Sequence, residues 1–226
     1  MMRKSDAQIH QDVRRALGWD SRVDDTHVSV AVDQSVVTLT GTVASYAAKL
    51  AAQDAAHRVP GVLDVANDIR VEIPVSLGCT DTEIAQAVRH ALAWDVLVPD
   101  TRITSTVTGG WVTLEGSVDR LRERADAERA VGRLRGVCGV TNKIVVRPPT
   151  VQSAQVHEVI EAALERHAER EAEREAERIQ VQVSDGVVTL TGRVHSYAEK
   201  RAVMGAVSHT PGVHTVTDHL RIDPYA

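Results

Sequence analysis

Two hydrophobic rhythms alternate along this chain, and the pair returns three times. Ile9, Val13, Ala16 and Leu17 fall at i, i+4, i+7 and i+8, which is one apolar stripe on a helix. IHQDVRRAL, IAQAVRHAL and VHEVIEAAL repeat that pattern, with Asp6, Asp81 and Ser153 placed just ahead as predicted N-caps. A period of two follows: Val28, Val30 and Val32, then Ile103 and Val107, then Ile179, Val181 and Val183. That alternation predicts a strand with one buried face. Gly109-Gly110 and Asp185-Gly186 predict tight hairpins, and Gln34-Ser35 is a poorer turn in the same place. The next strand puts Val37 and Leu39 on one face and Val36, Thr38 and Thr40 on the other. A second helix is predicted to start near Ser45, Asp119 and Ser196, with Ser196 and Glu199 spaced as a capping box.

These elements belong to an internal repeat. TLTGTV at 38–43 returns as TLEGSV at 113–118 and TLTGRV at 189–194. Gly61, Gly136 and Gly212 each lie 20 residues beyond the glycine of that strand, and open GVLDVANDIRV, GVCGVTNKIVV and GVHTVTDHLRI. A glycine there suits a left-handed stop to the second helix. The predicted class is α+β: three tandem α-β-β-α-β modules at 5–74, 80–149 and 153–224. In each, a crossover makes the last strand parallel to the second. The result is a mixed three-stranded sheet with two helices on one face. A module of about 70 residues is barely self-sufficient, so contacts between modules are expected.

The TL-x-G-x-V strand, the later glycine and the G-V-x-x-V-x-(N/D)-x-(I/L) ending resemble the BON domain, over nearly the whole chain. That resemblance implies the fold just described and no catalytic centre. BON domains occur in osmotically induced periplasmic proteins, outer-membrane lipoproteins and channel or secretin-like proteins. The family is associated with phospholipid surfaces, and one cytoplasmic type, which pairs BON with LysM, senses potassium.

Composition narrows this further. Aromatics are 3% of the chain with no Phe, so the core must be aliphatic. The net charge of −5 argues against a nucleic-acid partner. The two cysteines, Cys79 in the first linker and Cys138 in a predicted strand, form neither a zinc knuckle nor a disulfide framework. The ten His show no metal-ligand frame, no catalytic Ser/His/Asp order or phosphate loop is visible, and no cofactor is implied. The first residues lack a signal-peptide pattern, which reads as cytoplasmic as written and periplasmic if a leader is missing.

Function is expected where the copies differ. Trp111 stands where the other copies have Val36 and Val187, on the sheet face away from the helices, where it suits a contact between modules or a membrane interface. The second helix of copy two carries Arg120, Arg122, Arg124, Arg129 and Arg133, an arrangement suited to anionic headgroups. In copy three, Leu164 to Gly192 spans 28 residues against 24 for Leu17 to Gly41. The difference lies in RHAEREAEREAER, an expected extension of the first helix, with Arg166, Arg170, Arg174 and Arg178 as a partner-helix surface. Trp19 and Trp94 close the first helices and are expected to cap the cores. Three readings follow: a non-enzymatic stress-associated protein that contacts an anionic membrane surface or an envelope protein; a cation sensor with Asp25, Thr26, Asp100 and Thr101 as loop ligands; and an assembly scaffold.

Overall fold

A computed structural model describes residues 4–74, 78–147, 156, 159–160, 162 and 179–223. The first module runs α1 (Asp6–Trp19), a 3₁₀ turn (Asp25–His27), β1 (Val28–Asp33), β2 (Val36–Val43), α2 (Tyr46–His57) and β3 (Asp64–Val71). The second repeats it with α3 (Asp81–Trp94), a 3₁₀ turn (Asp100–Arg102), β4 (Ile103–Thr108), β5 (Trp111–Val118), α4 (Leu121–Gly132) and β6 (Gly139–Val146). The third contains β7 (Gln180–Ser184), β8 (Val187–Val194), α5 (Tyr197–Ser208) and β9 (Thr215–Ile222). Each sheet has its second strand at the centre. That strand pairs antiparallel with the first, and in modules one and three it pairs parallel with the last. The expected α+β class and mixed sheets are what the chain forms.

The core follows the predicted stripes. Ile9, Val13 and Leu17 of α1 meet Val37, Leu39 and Ile69 of the sheet, with Ala48, Ala51, Ala52, Ala55 and Ala56 of α2 closing the layer. Alanine on α2 lets the helix lie close to the sheet without aromatic filler. In module three Val156 and Ile160 are helical and buried against Val188, Leu190, Val203 and Leu220. Each fully buried Val, Leu or Ile contributes about 1.5–3 kcal/mol. The N or D of the repeated ending also gains a task, tethering the last strand to the second helix. Asn67 Nδ2 donates to Lys49 O at 3.0 Å, Asn142 Nδ2 to Glu128 at 3.1 Å, and Asp218 pairs with Lys200 at 2.8 Å.

The helix starts correct the predicted caps. The N-caps are Ser5 and Thr80, each in a full capping box with Gln8 or Glu83. Asp6 and Asp81 sit one residue inside, where their carboxylates reach the hairpin turn. Asp6 accepts the Gln34 and Ser35 amides at 3.0 and 2.9 Å; Asp81 accepts those of Gly109 and Gly110 at 2.8 and 2.9 Å. Gln34 and Ser35 take φ of 49° and 66°, so the turn predicted to be poor has the left-handed geometry without glycine. A paired carboxylate offsets a backbone cost of about 1–2 kcal/mol per residue. Ser153, the equivalent position in module three, and the expected helical extension of 166–178 lie outside the described residues. The capping box at Ser196 is also modified. Ser196 caps the Glu199 amide, but the Glu199 carboxylate takes the His195 N–H at 2.7 Å instead of the cap's own. The second helix of module two starts at Leu121 rather than Asp119, and Cys138 lies just before β6 rather than in it.

Contacts divide the chain into two compact units, Met1–Gly116 with Asp126–Lys143, and Ser117–Ala125 with Ile144–Ala226. Within the first, Tyr46 of module one lies against Gly132 of module two, where a Cβ would sit 3.4 Å from the ring. Its hydroxyl bonds the Val140 backbone; burial, and secondarily the charge of Glu128, pushes the phenol above its ordinary value.

Asp6→Ala is expected to destabilise module one by about 1–3 kcal/mol, since it strips two charge-assisted bonds from a strained turn. Asp6→Ala combined with Gln34→Gly and Ser35→Gly should recover part of that loss. Chemical denaturation of the three proteins checks both.

Candidate functional site

The two helix-closing tryptophans do not cap the cores. Trp19 and Trp94 are each 85% exposed. At about 100° per residue, a side chain two positions past the last core residue points about 200° away from it. Leu17 and Leu92 are those last core residues, buried to within 2%. The two-residue spacing from Leu17 to Trp19 and from Leu92 to Trp94 is the sequence signal for this outward position.

Trp19 stands beside a shallow groove of about 300 Å³ at the end of α1. Ala16, Ala55, Val59 and Pro60 form its apolar floor, and Asp12, Arg15 and Arg58 its charged rim. Asp20, next to Trp19, organises part of this rim. Its carboxylate takes Arg22 at 2.7 Å and Arg58 at 2.9 Å. The hydrogen bonds from Arg22, reinforced by Arg58, hold Asp20 far below the usual carboxylate range against the opposing effect of desolvation. Lys4 and Arg15 both pair with Asp12, at 2.7 and 3.3 Å.

Module two changes the same corner. Where module one continues with Ser21 and Arg22, module two has Val96 and Leu97, exposed to 98% and 50%. With Trp94 they make an apolar tip, shaped by the Asp95 carboxylate accepting the Leu97 amide at 3.0 Å. Arg133 holds the repeat position of Arg58.

The other candidates disperse. Trp111 is 55% exposed on the predicted face, its ring lying over Gly139, where a Cβ would be 2.4 Å from it. Of the arginines, Arg129 is paired with the buried Asp126 at 2.7 Å. Arg122 is exposed and Arg124 half-buried, and Arg120 and Arg133 flank α4 outside its ends. Arg166, Arg170, Arg174 and Arg178 lie outside the described residues. Asp25-Thr26 and Asp100-Thr101 form the 3₁₀ turns. There the Asp25 and Asp100 carbonyls accept the Val28 and Ile103 amides, and Asp24 takes the Thr26 amide at 3.1 Å. Among the described residues no group of three or more His, Cys, Asp or Glu is placed to hold a metal ion. No helix among them is long and apolar enough to cross a membrane.

The BON domain family matches residues 5–73, 80–148 and 157–224. The chain belongs to the BON domain family. Osmotically-inducible protein Y of Escherichia coli (strain K12) is 32% identical over 143 residues, spanning 62% of this chain and 71% of that protein. An uncharacterized protein in the gshII 5′ region of Anaplasma centrale is 29% identical over 122 residues, 53% of this chain and 81% of its own. CdsD, a structural protein of the type III secretion system of Chlamydia trachomatis, aligns over 93% of this chain and 90% of its own at 14% identity. Its TM-score is 0.25. The BON motif accounts for strand, glycine and tether residues common to the three modules; Trp19 and Trp94 fall within the matched residues, at the ends of α1 and α3.

Removing these tryptophans should barely affect folding. Trp19→Ser and Trp94→Ser are each expected to change stability by under about 0.5 kcal/mol, against about 3–5 kcal/mol for a core tryptophan. Denaturation midpoints measure this. Asp20→Asn should lower the melting temperature at neutral pH. Because the folded-state pKa is depressed, that difference is present above the unfolded value of about 3.9 and shrinks as pH falls below it. Thermal melts of parent and variant at pH 7 and pH 3 give the comparison.

Proposed function

We propose that this chain is a non-catalytic, osmotic-stress-associated binding protein that docks on anionic phospholipid surfaces through the first-helix ends of modules one and two. The observation that carries the reading is the pair of tryptophans, each 85% exposed at the same repeat position. A large indole facing water at two equivalent sites gains nothing for either core. Indole is amphipathic and favours the level of lipid headgroups. Around Trp19, Arg15 and Arg58 supply cationic partners, each near a surface contributing about 1 kcal/mol toward anionic lipid. Their pairing with Asp12 and Asp20 reduces that share. Around Trp94, Val96 and Leu97 add apolar area. One weak anchor gives reversible membrane binding and two give stable binding, which fits a device present in duplicate. The likeness to osmotically-inducible protein Y supports the stress association.

Co-sedimentation with phosphatidylglycerol vesicles at low salt tests the reading, with phosphatidylcholine vesicles as the control. Binding to the anionic vesicles with a blue shift of tryptophan emission is expected. The Trp19→Ser, Trp94→Ser double variant should bind roughly tenfold or more weakly. Absence of binding by the parent chain, or equal binding by the double variant, would sink the proposal.

A further inference from the structure

The three sheets share one plan: a face covered by helices and a face left open. The residues on the open faces differ sharply between modules. Module one places Asp33, Asp64 and Asp68 there, with Arg70. Module two places Trp111 and Val145 there, with Glu115 and Lys143 paired at 3.3 Å. Module three places Arg193, His219 and Arg221 there, all exposed.

The register in module three sharpens this. In the parallel pair of β8 and β9, Arg193 is the direct partner of Arg221, and Thr191 of His219. Like charges directly opposed on adjacent strands, about 4.8 Å apart, destabilise a sheet. Folding does not demand the pair. The equivalent partners are Thr42 and Arg70 in module one, and the repeat positions in module two hold Ser117 and Val145. The cluster also runs against its surroundings, because residues 153–224 hold eight Lys and Arg against twelve Asp and Glu. On β7, β8 and β9 the other open-face positions are Gln180, Gln182, Ser184, Val187, Thr189, Thr215 and Thr217, none of them acidic. Asp223, just past β9, lies 3.7 Å from Arg193 and answers part of its charge. The four paired residues bound a concavity of about 530 Å³.

We infer that the open face of module three binds a phosphate monoester, with Arg193 and Arg221 on its charged oxygens and His219 and Thr191 donating at the side. Two guanidiniums at neighbouring positions match an oxyanion that presents several acceptors at once. A compact dianion fits better than a long polyanion, which the acidic balance of the module would repel.

The test is an NMR titration of the ¹⁵N-labelled full chain with inorganic phosphate and glycerol 3-phosphate, in the Trp19→Ser, Trp94→Ser background. That background keeps this result separable from the tryptophan-mediated reading. Saturable shifts at the amides of Thr191, Gly192, Arg193, His219 and Arg221 are expected, with binding roughly tenfold or more weaker in Arg193→Thr, Arg221→Val. Those substitutions bring in residues that modules one and two hold at the same positions. The ligand-free melting temperature should be unchanged or higher, so lost binding will not reflect lost folding. No saturable shift up to about 10 mM phosphate ester, or equal binding by the double variant, overturns the inference. Vesicles of phosphatidic acid identify the source. Retention abolished by Arg193→Thr, Arg221→Val assigns a lipid headgroup, and binding of glycerol 3-phosphate without retention assigns a soluble ester.

Discussion

In the central strand of module one, the carbonyl oxygen of His27 occupies the space where a side chain at position 41 would go. A Cβ there would lie 1.9 Å from that oxygen, at a φ of +117° that other residues rarely adopt. Module two repeats the collision at Gly116, with Arg102 O at 2.1 Å. This close approach carries the 3₁₀ turn onto the middle of the sheet and sets where β1 and β4 begin. The path from the first helix to the sheet therefore has one short route. The corner bearing Trp19 or Trp94 sits at the start of that route, so its position follows from a glycine on another strand.

The second restraint is the carboxylate that joins the opposite end of the helix to the hairpin. Asp6 and Asp81 hold their turns by two amides each. The turn in its own right hands a carbonyl to the residue just before the last strand: Ser35 O accepts Leu63 N at 3.0 Å, and Gly110 O accepts Cys138 N at 2.9 Å. Helix, hairpin and parallel strand are thus linked at one corner by directional bonds. The aliphatic core supplies the bulk of the stabilisation, and these bonds select one arrangement for it. With both helix ends pinned, the surfaces at those ends and the open sheet face can vary while the fold is kept.

That freedom is used differently in each module. Module one keeps an acidic open face, module two an apolar one around Trp111, and module three a cationic one around Arg193 and Arg221. Modules one and two share an exposed indole at the first-helix end. Three sheets of one plan thus present distinct chemistries, consistent with separate contacts rather than one site built three times.

The order of elements, the sheet faces and the core were legible in the sequence, because they depend on local periodicity and on a motif stated three times. Ile9, Val13 and Leu17 are buried as their spacing requires, and Val37 and Leu39 as strand alternation requires. The surfaces were less legible. Trp19 and Trp94 looked like core residues by type, and only their angle on a helix already anchored by Leu17 and Leu92 turns them outward. Asp6 looked like a cap, and became a turn clamp because a hairpin 28 residues away folds back to meet it. Arg193 and Arg221 were two unremarked arginines, distant in sequence, until parallel register set them side by side. Hydrophobic burial reads out residue by residue, so the sequence alone determined the frame. Charge and hydrogen bonding depend on which distant residues become neighbours, and only the tertiary structure decided that.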